Sequence, residues 1–129
     1  MNELTMIVAG SAAGGVARYW LAGAVDRRYG ERFPWGTLAV NASGALAIGM
    51  IAAIALADER LAAWGLWHLA VIGFLGSYTT VSSFSLQTLV LARNGTHLAA
   101  AAYVALSLVL CLGGAALGYA AAAALLAAR

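Results

Sequence analysis

An apolar run broken by hydroxyls constrains this chain more than any other feature. From about Leu66 to Ala92 there is no Asp, Glu, Lys or Arg. At about 1.5 Å of rise per residue, such a run crosses a hydrocarbon core of about 30 Å. Yet from Ser77 to Thr88 seven of twelve residues are Ser or Thr, with Gly73 and Gly76 just before them. Glycines and hydroxyl residues weaken a helix, the latter by competing for its backbone hydrogen bonds. Irregular backbone at membrane depth persists only where it is buried in protein or lines water. A broken, hydroxyl-rich span is therefore a place where something polar crosses. Small and hydroxylated residues also glue membrane helices together, and that simpler role stands beside the first.

The rest of the chain has the same character. Its 129 residues are 64% hydrophobic and 9% charged, with no Lys, which marks one integral membrane domain over residues 1–129. A formal net charge of +2, scattered over seven Arg and five acids, does not suit nucleic acid. Cys111 stands alone in an apolar run, so it offers neither a disulfide nor a metal-ligand spacing. Glu3 sits where a cleavable signal would carry positive charge, and the apolar run from Leu4 outlasts a signal core.

Four spans are expected, at about Leu4–Val25, Gly36–Ala57, Leu66–Ala92 and Leu98–Ala128. Trp35, Trp64 and Trp67 fall at their ends, as an aromatic belt would place them, and His68 and His97 are read as interfacial. Gly10 and Gly14 form one GxxxG pair and Gly114 and Gly118 another. Tyr103, Ser107, Cys111, Gly114 and Gly118 follow at helical steps, so they share one face. Four Arg (27, 28, 32 and 93) fall on one side of the membrane, and Arg60 and Arg129 on the other. That slight bias is compatible with insertion in both directions, and hence with an antiparallel dimer.

No acidic residue lies within a span, which counts against a proton-coupled drug exporter. Nothing resembles a nucleophile with its base, so no enzyme is expected. The spans hold donors and one cation instead. Arg18, about 10 Å of helix from the end of the first span, either snorkels to the interface or draws anions inward. Asn41 in the second span is costly in hydrocarbon unless bonded. It either ties helices together or coordinates an anion. Phe84 either packs or presents the positive edge of its ring. Thr80, Ser82 and Tyr103 are further donors.

The segments GGVARYW, WGTLAVNASG and GFLGSYTTVSSFS resemble, in order and spacing, the three motifs of the Fluc (CrcB) family of bacterial fluoride channels. The resemblance implies an all-α membrane protein of four helices, the third broken at mid-membrane. It further implies an antiparallel, dual-topology homodimer in the bacterial cytoplasmic (inner) membrane, with two pores that passively export fluoride. Family roles fall on Asn41, Phe84 and Arg18, while Tyr103 and Ser107 resemble a polar track along the pore. A Na⁺ at the dimer centre is implied on the backbone carbonyls of Gly76 and Thr79. Two positions depart from the pattern: Val81 stands where the motif commonly has Phe, and Gln87 where an acid is often found. The alternatives are a small multidrug-type four-helix transporter and a non-conducting membrane scaffold.

Overall fold

The computed structural model describes residues 2–57 and 67–128. Expectations for Trp64, Arg60, Arg129 and the second loop lie outside the described residues.

Helix α1 spans Glu3–Tyr29. Asn2 caps it by accepting from the Thr5 amide at 2.9 Å. It runs four residues beyond the expected end, because Asp26–Tyr29 continue the turn until Gly30, whose φ of 87° suits only glycine. Pro34 precedes α2, Trp35–Ala57, where a missing N–H does no harm. The Asp26 carboxylate reaches across from α1 and accepts from the Gly36 amide at 2.8 Å, an anionic cap on the start of α2.

The third stretch starts as a π-helix, π1, at His68–Leu75, and continues as one α-turn, α3, at Gly76–Tyr78. Thr79 (φ −80°, ψ 159°) and Thr80 (φ −153°, ψ 122°) are extended, and α4 restarts at Val81–Arg93. Gly73 and Gly76, which the sequence marks as weak points, are themselves helical; the interruption comes three residues later. A turn at Asn94 and Gly95 (φ 78°) leads to α5, His97–Ala127.

Glycine sets the packing. A methyl group on Gly10 would overlap the Leu69 carbonyl, and one on Gly14 the Phe74 carbonyl, so α1 lies backbone to backbone on π1. Likewise Gly49 meets the Ala115 carbonyl and Gly118 the Leu46 carbonyl, which presses α2 onto α5. Both GxxxG pairs are thus used within the chain. Gly73 is needed for the approach to Gly10, so for that residue packing is the right account. A small core of Val40, Leu75 and Tyr78 joins the two helix pairs. His68 Nε2 lies 3.6 Å from Glu3 Oε2, tying the start of π1 to the start of α1.

Among the described residues, three helical stretches are long and apolar enough to cross a membrane: Trp35–Ala57, His68–Arg93 and His97–Ala127. Helix α1 is as long but less apolar, carrying Arg18, four glycines and the Asp26–Arg28 cluster. Leu98, Val109, Leu112, Leu117 and Leu125 are exposed along α5, an exterior suited to lipid rather than water.

Candidate functional site

The interruption is held by an amide. Asn41 Nδ2 donates to the Thr80 carbonyl at 2.9 Å, and the Thr80 amide donates to Asn41 Oδ1 at 2.8 Å. The side chain of α2 thereby stands in for a neighbouring β-strand, pairing both polar groups of a residue that is only 8% exposed. One of the two Nδ2 hydrogens is used and among the described residues the other is left over, so tying helices and meeting an anion are compatible roles. Thr80 Oγ1 in turn accepts from the Ser83 amide at 3.2 Å, capping α4. It also lies 3.1 Å from Ser82 Oγ and 3.2 Å from Ser83 Oγ, so this hydroxyl is already committed.

The turn before the break is tied just as closely. Thr79 Oγ1 donates to the Leu75 carbonyl at 2.9 Å. Tyr78 OH and Ser43 Oγ are 2.7 Å apart, and Ser43 also donates to the Val40 carbonyl. Because the Thr80 amide turns to Asn41, it does not continue the helical ladder to the Gly76 carbonyl. Among the described residues no group of three His, Cys, Asp or Glu could hold a metal, so a cation here would rest on backbone or hydroxyl oxygens.

Beside the break lies a groove of about 620 Å³. It brings together Asn41, Gly76, Thr79, Thr80, Val81, Phe84 and Ser107, seven of the ten residues singled out in the sequence. The other three lie outside its lining. Ser82 is exposed beside Thr80, and Arg18 is half-buried on α1. Tyr103 is fully buried behind the groove. Its ring sits 5.3 Å from that of Phe84 and edge-on to Phe33 at 5.5 Å, and its hydroxyl donates to Gln87 Oε1 at 3.0 Å. The Gln87 amide does there what a carboxylate would also do, accepting one hydrogen bond. The Tyr78–Ser43 bond and the contact with Phe33 were not anticipated; Ser43 lies two residues from Asn41, and that proximity was the available signal.

A helical bundle with an apolar exterior, three membrane-capable stretches and an amide-pinned break beside a polar-flecked groove defines a multi-pass membrane protein. Residues 5–119 match the family model described as CrcB-like protein, Camphor Resistance (CrcB), and the chain belongs to this Fluc/CrcB family. The Fluoride-specific ion channel FluC 2 of Rhodopseudomonas palustris (strain BisB18) is 56% identical over 123 residues, 95% of this chain and 94% of its own length. Its namesake from Bradyrhizobium diazoefficiens is 52% identical over 120 residues, covering 92% and 88%. The Fluoride-specific ion channel FluC of Rhodospirillum rubrum is 48% identical over 114 residues, 88% of each chain. Proteins of this family are ion channels, and the chain is not an enzyme.

Proposed function

We propose that this chain is a passive fluoride channel of the bacterial cytoplasmic membrane, working as an antiparallel homodimer with two pores. The names of its relatives support the ion, and the groove at the Asn41–Thr80 break supports the route. In this reading α1 is a fourth span, its weaker hydropathy offset by burial of its glycine face on π1. The groove is open on one flank, where Val81 is 76% exposed and Leu108 and Leu112 are bare. A second copy of the chain closes that wall.

Fluoride holds its water tightly, so its path must supply donors in exchange. The free Nδ2 hydrogen of Asn41, the Ser107 hydroxyl and the Phe84 ring edge are those on the groove wall. Thr80 contributes by holding the Asn41 amide in place, since its backbone groups pair with Asn41 and its hydroxyl is spent on capping α4. Arg18 attracts the anion from the α1 side, Ser82 adds a hydroxyl at the rim, and Tyr103 backs the Phe84 ring. The Gly76 and Thr79 carbonyls are assigned to a central Na⁺, consistent with the Gly76 carbonyl having lost its ladder partner. Flux from vesicles holding the purified protein, read with a fluoride electrode and repeated with chloride, tests the whole reading. Fluoride release without chloride release is expected, and equal release of both would overturn it.

Two further outcomes follow from this reading. Phe84→Leu roughly keeps the volume but removes the positive ring edge, worth on the order of 1 kcal/mol. Its fluoride flux is expected to fall clearly, while Val81→Phe changes flux much less; full flux in a dimeric Phe84→Leu protein would leave the ring as packing. A C-terminal reporter is expected on both sides of the membrane, because the Arg balance is only four against two. A reporter found on one side alone would remove the antiparallel arrangement.

A further inference from the structure

A second groove, also of about 620 Å³, lies at the end of the molecule where α1 passes into α2 and α4 into α5. Arg32, Glu31, Asp26, Asn94 and Gln87 lie on its wall. Gln87 is the lining residue that comes nearest in contact to the wall of the first groove. It sits three residues after Phe84 on α4, and the two are bridged by Tyr103, whose ring contacts Phe84 and whose hydroxyl is held by Gln87 Oε1. With Oε1 so engaged, the Nε2 amino group has both hydrogens left, and among the described residues it makes no hydrogen bond.

The charges here are unequal in effect. Asp26 is half-buried and spends Oδ1 on the amide of Gly36, where the start of α2 offsets its charge. Arg32 and Glu31 are both exposed in the loop, and among the described residues neither is in an ion pair. Arg27, Arg28 and Arg93 stand at the same end, also exposed, so the groove opens into a field that is positive on balance.

We propose that this second groove is the outer mouth of the anion path, where Arg32 gathers a small hydrated anion and the Gln87 amino group receives it. Glu31 opposes Arg32 and sets how strongly the mouth attracts. The assignment rests on the channel reading above, and it adds a second point of capture, at a loop residue, to the one given to Arg18.

The test uses the full-length protein in phosphatidylcholine vesicles, which carry no net charge, at about 1 mM fluoride. Flux is measured in about 10 mM and about 1 M of an impermeant salt, where the screening length is about 30 Å and about 3 Å. Removing one charge at the mouth changes the local potential by an amount on the order of kT, about threefold in capture. At low salt, Arg32→Gln is expected to lower flux about threefold, Glu31→Gln to raise it about twofold, and Arg32→Lys to preserve it. At high salt all should converge on the unmodified protein. Opposite signs from adjacent exposed residues, both erased by salt, are not produced by a structural role. Salt-independent flux, equal flux at low salt, or changes of the same sign would overturn the assignment while leaving the channel reading intact. An unmodified protein that releases no fluoride would instead defeat the channel reading itself.

Discussion

Asn41→Leu is expected to reduce fluoride flux to the level of empty vesicles. Leucine keeps the branched shape of asparagine but leaves the Thr80 N–H and C=O without partners in a buried position. Each unsatisfied group costs about 1–3 kcal/mol. The chain can escape that cost by continuing the helix through Thr79 and Thr80, which closes the break. Asn41→Asp is a sharper probe, since its carboxylate still accepts from the Thr80 amide but turns an oxygen toward the Thr80 carbonyl. It should conduct no better than Asn41→Leu, because the leftover N–H donor is gone and the new charge repels an anion. Thermal unfolding by tryptophan fluorescence, run beside the flux assay, separates the two losses. Unchanged flux in a folded Asn41→Leu protein would remove this residue from the pathway.

Gly118→Val should fail to yield folded protein. Even the first carbon of the side chain would overlap the Leu46 carbonyl, which is backbone in the middle of α2 and cannot give way locally. Relief requires the α2–α5 pair to separate, and overpacking on that scale exceeds the usual 1–3 kcal/mol. Gly113→Ala is the matched control, since among the described residues nothing lies within 4 Å of its added carbon. It also gains about 1 kcal/mol of helix propensity. The yield of monodisperse protein on size exclusion in detergent checks both, and a well-behaved Gly118→Val protein would show that the helix pair is looser than described.

How much of this was legible in the sequence differs from residue to residue. The long apolar stretches announced themselves, because hydrophobicity sustained over more than twenty residues needs no tertiary context. The shared face of Tyr103, Ser107 and Gly118 followed from helical spacing, and all three are indeed buried. The position of the break did not follow from local propensity. Gly73 and Gly76 are the weakest helix formers of their segment, yet close packing on α1 holds Gly73 and the π-helical ladder, reaching the Val71 carbonyl, holds Gly76. The break falls at Thr79 and Thr80 because Asn41, thirty-nine residues away from Thr80, offers both hydrogen bonds there. Partnerships at that separation leave no periodic trace. The same holds for Gln87, whose role depends on Tyr103 meeting it from another helix.

The packing of the helices in two pairs has a mechanical consequence. Within each pair, α1 on π1 and α2 on α5, glycine lets backbone bear on backbone, and such a plate is stiff. Between the plates lie only the small core of Val40, Leu75 and Tyr78 and a few polar ties, chiefly Asn41 to Thr80, Ser43 to Tyr78 and Asp26 to the Gly36 amide. A bilayer that thins or stretches pulls on the outer rims of the plates, and stiff plates pass that load inward undiminished. The seam between them therefore yields first, and the seam is where the break and its groove lie.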